Sequence, residues 1–211
     1  EIGGSHVDVF TATGGMQDPH RVEARPSLIA RARNADLVVA TGAELEIAWL
    51  PLILRNSSNA RIQPSQPGYF EAANAVRMLE VPARLDRAEG DVHALGNPHI
   101  HTDPRNILKV GEALSARMAQ LDAANAAAYQ ANFQRFAERW QAAIKNWESK
   151  AAPLRELHVV SQHKAFPYLY AWLGIVEVAT LEPKPGVEPA VSYLSQGMGA
   201  VAAQQPKMVI R

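Results

Sequence analysis

Two amphipathic helical patterns run back to back from Asp103 to Trp147. The first opens at Asp103-Pro104, where the Asp side chain can cap the helix and proline suits its first turn. Ile107, Val110, Leu114, Met118 and Leu121 follow at helical spacing. The second pattern carries Tyr129, Phe133, Phe136, Trp140, Ile144 and Trp147. Their spacings of three and four place every aromatic on one stripe. We read that stripe as core packing rather than a ligand platform. A long helical centre divides the strand-forming segments into those before it and those after it.

Before it, Val7 to Thr13 reads as a short strand running into a Gly14-Gly15 turn, and Pro26-Ser27 opens a helix. Asp36 to Gly42 is an apolar run ended by glycine, the pattern of a buried parallel strand. A helix carrying Leu45, Trp49, Leu52 and Ile53 follows, with Pro51 as a break, and 56–68 reads as loop. Residues 69–97 look irregular. After the centre, Leu157 to Ser161 reads as a buried strand, Phe166 to Leu173 as a helix and Ile175 to Thr180 as a strand. The Pro-rich stretch 181–190 reads as loop, Ser192 to Gln204 as helix and Lys207 to Ile210 as a strand begun. Strands alternating with helices on both sides predict an α/β fold of two lobes with mostly parallel sheets. Glu1 to Gly4 resembles a helix end with its glycine stop, so we expect a fragment truncated at both ends.

The chain has 211 residues, 47% of them hydrophobic, enough for a sizeable core. Its formal charge is zero, which gives no footprint for nucleic acid. It contains no cysteine, which excludes disulfides, cysteine zinc sites and thiol catalysis. No run reaches the ~18 apolar residues that suggest a membrane span.

Three histidines lie far apart, each in a turn-like context: His20 in QDPHRVEARPS, His99 in GNPHIHTDPRN and His163 in VVSQHKAFPYL. Imidazole is the commonest protein ligand for zinc and related metals. Pro19 and Pro98 each fix the backbone just before a histidine. His163 follows a buried strand, at the edge where open α/β sheets bind ligands. His101, two residues past His99, would point away and reads as packing or support. His6, His93 and His158 are weaker candidates.

These residues carry a resemblance to the zinc and manganese receptors of bacterial ABC importers. The family's DPH loop with Glu and Pro-Ser is matched by Asp18-Pro19-His20, Glu23 and Pro26-Ser27. Its ADLVxxxGA strand and following Trp are matched by Ala35 to Ala43 and Trp49. Its NPHxxxDPxN segment is matched by Asn97-Pro98-His99 and Asp103 to Asn106, and its HxAFxYL segment by His163 to Leu169. The resemblance covers essentially the whole chain. It implies two α/β lobes joined by a long rigid helix, with metal in the cleft: 1–103 as N-terminal lobe, 104–121 as connector and 122–211 as an incomplete C-terminal lobe. It places His20 and His99 in the first lobe and His163 in the second. It also implies a fourth, acidic ligand that would fall beyond Arg211.

Three imidazoles and a carboxylate suit Zn2+, whereas Mn2+ prefers more oxygen. The expected role is therefore periplasmic capture of Zn2+, with Mn2+ as the alternative, by a monomer with no catalytic step. The expected partner is an ABC transporter permease in the inner membrane, with the receptor periplasmic or lipid-anchored. A zinc-dependent hydrolase is the rival from another class, since three histidines with an open position can activate water. No HExxH-like base stands beside a ligand to support it. A cell-adhesion role, often attached to this family by name, has no marked surface in the sequence.

Overall fold

The computed structural model describes residues 1–82, 93–182 and 188–211. The chain packs into two units. Unit 1 comprises 1–77 and 105–141, and unit 2 comprises 78–104 and 142–211. These limits differ from the expected 1–103, 104–121 and 122–211. The difference has local causes. The start of the second long helix is tied to the N-terminus, where Asn132 Nδ2 donates to the Ile2 carbonyl at 2.8 Å. Residues before the first long helix are tied instead to the C-terminal half, where the Leu79 amide donates to Tyr168 Oη at 3.1 Å.

In unit 1, α1 (Pro26–Arg33) starts with proline in its first turn and buries Leu28 and Ala32, four apart on one face. Strand β1 (Val38–Ala40) pairs in parallel with β2 (Tyr69–Glu71), Val38 opposite Tyr69 and Ala40 opposite Glu71. β2 lies inside the stretch expected to be irregular. Pro51 does not break a helix. It stands in the first turn of α2 (Leu50–Ser57), where its missing N–H costs no intrahelical bond. Leu28, Ala32, Ala40, Trp49, Leu50, Ile53, Leu54 and Ile62 form the core. Buried Asn59 closes the end of α1 by donating to the Ala32 and Ala35 carbonyls at 3.0 and 2.8 Å. Gly68 is required by close approach: a Cβ there would lie 2.4 Å from the Arg61 carbonyl oxygen. The expected strand Val7 to Thr13 does not form. Val9 and Phe10 are exposed, and among the described residues β1 and β2 pair only with one another.

The helical centre appears as expected, as α3 (Pro104–Leu121) and α4 (Ala126–Ala151). At about 1.5 Å per residue, the 26 residues of α4 make it the longest described element. It runs from unit 1 into unit 2 at Gln141 and Ala142. The aromatic stripe packs: Tyr129 is buried, and Phe136 stacks on Trp140 with ring centroids 5.4 Å apart. The corner between the helices is closed by Tyr129 Oη and Asn125 Nδ2, which both donate to Asp122 Oδ2.

Unit 2 holds a parallel sheet in the order β4-β3-β5, formed by β3 (His158–Ser161), β4 (Val176–Thr180) and β5 (Met208–Ile210). The pairing of β3 with β4 shifts between Val159 and Val160. Central β3 has neighbours on both edges, which explains its apolar run and the full burial of Val159 and Ser161. Helix α5 (Pro167–Leu173) ends at Gly174, whose φ of 70° allows a left-handed cap. Helix α6 (Val191–Ala203) then leads to β5. Of the Pro-rich stretch 181–190, residues 183–187 lie outside the described residues. No helix among the described residues is long and apolar enough to cross a membrane.

Candidate metal centre

Two of the three histidines sit on the same local device. In Asp18-Pro19-His20, the His20 amide donates to Asp18 Oδ1 at 2.9 Å, and ring Nδ1 meets the same oxygen at 2.7 Å. In Asn97-Pro98-His99, the His99 amide donates to Asn97 Oδ1 at 3.0 Å, and Nδ1 meets that oxygen at 2.9 Å. Each is an Asx turn in which a side chain mimics a backbone turn. Proline between the two holds the acceptor at the right reach. His163 uses a distant acceptor: its Nδ1 lies 2.8 Å from Glu182 Oε2, just past β4.

Carboxylate and amide oxygens only accept, so Nδ1 is the donor in all three rings. That fixes the tautomer whose Nε2 carries the lone pair a metal needs. At Asp18, burial works against ionisation, but hydrogen bonds from the His20 backbone and ring outweigh it and hold the carboxyl below its usual range.

Within unit 2, His99 and His163 come together, their ring centroids 5.3 Å apart and their planes at 74°. His99 lies in the 78–104 segment that groups with unit 2, where Asn97 Nδ2 donates to the Lys164 carbonyl at 2.8 Å. His99 is buried and His163 is part-buried at the C-terminal end of β3. His20 belongs to unit 1, on a loop held by Trp49, whose Nε1 donates to the Pro19 carbonyl at 2.8 Å.

The other histidines do different work. His101 is exposed, with its ring 6.2 Å from that of His99. His158 Nδ1 bonds the Gln204 carbonyl, and His6 sits edge-on to Tyr129. The His93 carbonyl accepts the Gly96 amide. Sequence reasoning passed over Asp18, Asn97 and Glu182 as supporting groups. The first two were readable, since an Asx residue two before a histidine is an orienting acceptor. Glu182 carried no such signal, because sheet pairing alone brings it to His163.

Parallel α/β units with histidines at a strand end and in Asx turns offer imidazole nitrogens of the kind that hold a transition metal. The chain belongs to the family of the periplasmic zinc-uptake complex component A, ZnuA, whose model matches residues 1–211. That family consists of substrate-binding proteins of ABC transporters and is not enzymatic. The zinc-binding lipoprotein AdcA of Streptococcus pneumoniae is 22% identical over 200 residues, which are 93% of this chain and 39% of AdcA. The manganese ABC transporter substrate-binding lipoprotein ScaA of Streptococcus gordonii is 22% identical over 71% of this chain and 46% of its own. The chain thus spans about half or less of these curated relatives. Among solved structures, the solute-binding protein FpvC of Pseudomonas aeruginosa with Mn2+ has a TM-score of 0.80 at 25% identity, covering 99% of this chain and 73% of that one. A crystal structure of ZnuA has a TM-score of 0.78 at 23% identity, covering 99% and 75%.

Proposed function

We propose that this chain captures a transition-metal ion, Zn2+ in preference to Mn2+, through Nε2 of His20, His99 and His163. In this reading it works as a monomer outside the cytoplasmic membrane and hands the ion to an ABC importer permease. The observation that carries the reading is the shared treatment of the three rings: in each, Nδ1 is held by a side-chain oxygen at 2.7–2.9 Å. Second partners of this kind orient a metal-binding imidazole and raise its basicity. Three neutral imidazoles favour zinc, since manganese is better served by carboxylate and water. The named relatives bind zinc or manganese by their descriptions, which supports the metal class. Family membership supports delivery to a permease and an extracytoplasmic place.

The test is competition titration of the metal-free chain with Zn2+ and with Mn2+. One tightly bound zinc per chain is expected, weakened at least about tenfold by His163→Ala. A preference for manganese would keep the receptor and overturn the metal. Absence of stoichiometric metal would overturn the reading.

A further inference from the structure

We infer that Glu46 and Trp49 position His20 by fixing the peptide bond that leads into it. This deepens the metal reading above, on which it rests, and concerns unit 1 alone.

A peptide bond is planar, so holding both its polar ends fixes the plane from which the next side chain leaves. Both ends of the Pro19–His20 peptide are held. The His20 amide donates to Asp18 Oδ1 at 2.9 Å, and the Pro19 carbonyl accepts Trp49 Nε1 at 2.8 Å. The Arg21 amide adds a bond to the Asp18 carbonyl at 3.1 Å. Asp18 is two residues from His20 and comes with the loop. Trp49 is 30 residues from Pro19, so the fold has to put it there.

Glu46 organises the turn that does so. Gly42, Ala43 and Glu44, just past β1, stand in succession at φ of 80°, 50° and 67°. Ala43 and Glu44 carry a Cβ, and such residues keep a left-handed backbone only where their surroundings impose it. Glu46 imposes it from the far side of the turn. Its Oε1 accepts the Thr41 amide at 2.8 Å and its Oε2 the Gly42 amide at 3.1 Å. Amide bonds to a carboxylate are stronger than those to a neutral acceptor. Thr41 is itself anchored, its carbonyl accepting the Ala73 amide at 2.8 Å. Beyond the turn, the Glu46 carbonyl accepts the amides of Trp49 and Leu50 at 3.2 and 2.9 Å. Glu46 thus ties the end of β1 with its side chain and the start of α2 with its backbone. Trp49 stands buried at that start. Trp49 acts through the Pro19 carbonyl and Glu46 through Trp49, so both are positioning residues.

The experiment uses the full chain and two readouts. In the metal-free chain at about pH 8, above the usual imidazole range, nitrogen NMR of the histidine rings reads which nitrogen carries the proton. Titration with Zn2+ reads affinity. Trp49→Phe keeps an aromatic ring and removes the donor, which loosens the peptide and frees the His20 ring from Asp18. It is expected to mix the His20 tautomers, leave the His163 ring unchanged and lower zinc affinity about tenfold. Glu46→Ala is expected to do the same, and Glu46→Gln, with one oxygen left to accept, to restore part of the loss. Glu46→Ala combined with Trp49→Phe should lose little more than the larger single loss, since the two act in series. Thermal melting identifies a variant that fails to fold, and Glu46→Gln, the mildest change, then carries the test. An unchanged His20 tautomer in folded variants would overturn the inference, as would an equal change at His163. A wild-type chain without stoichiometric zinc would overturn the metal reading, while the ring measurement still decides the role of Glu46 and Trp49.

Discussion

Asn97 concentrates more of the local structure than any histidine does. Its side chain serves His99, Glu80 and the Lys164 carbonyl, and it is itself buried. Asn97→Ala leaves those groups to find other partners inside the fold, at about 1–3 kcal/mol for each buried group left unsatisfied. We expect a lower urea midpoint with unchanged slope, and zinc affinity reduced by about 10–100-fold. Glu177 presents the opposite case. Its Oε1 is buried without a hydrogen-bond partner. Burial raises its carboxyl above the usual range, against the hydrogen bond from Ser161 and the charge of Lys164. A raised folded pKa gives stability that is complete below the unfolded value, about 4.3, and is lost as pH rises through the folded one. Glu177→Gln should therefore melt above wild type at pH 8, with the gap closing towards about pH 4.

At the scale of elements, the corner between α3 and α4 is a hydrogen-bonded joint. Hydrogen bonds from Tyr129 and Asn125 hold the Asp122 carboxyl below its usual range. A depressed carboxylate pKa gives stability present above the unfolded value, about 3.9, and lost as pH falls through the folded one. Melting temperature should fall below about pH 4 in wild type, and less steeply in Asp122→Asn. Strand β2 has a steric constraint instead. A Cβ at Gly68 would meet the Arg61 and Asp36 carbonyl oxygens at 2.4 and 2.7 Å. Gly68→Ala must displace backbone, and we expect a loss of about 1–3 kcal/mol in denaturant unfolding. The elements themselves were largely legible. Pro26, Pro104 and Pro167 mark helix starts, and the runs at 38–40 and 158–161 read as strands because buried strands show no polar alternation. Val7 to Thr13 misled because strand-forming residues before a turn describe a candidate strand, while a strand exists only with a ladder partner. β2 was missed because three residues are too few to show a period.

For the whole molecule, a ligand that binds only the folded chain stabilises it by mass action. Zinc at 100 times its Kd should add about 2.7 kcal/mol. That corresponds to about 2–4 °C of melting temperature per kcal/mol for a chain of this size. The rise should be reversed by a chelator and reduced in His99→Ala. The sequence by itself determined the helical centre, the α/β class and the family, and it singled out three histidines as candidates, because each rests on local spacing or on motifs a few residues long. The Asx-Pro-His device belongs there too, since its acceptor lies two residues from its ring. Only the tertiary structure decided that His99 shares a unit with His163. It alone placed Glu182 against His163 and gathered Glu80 and Lys164 around Asn97. Those partners are 19, 84 and 17 residues apart in the chain. They meet through sheet pairing and burial, which no short window of sequence contains.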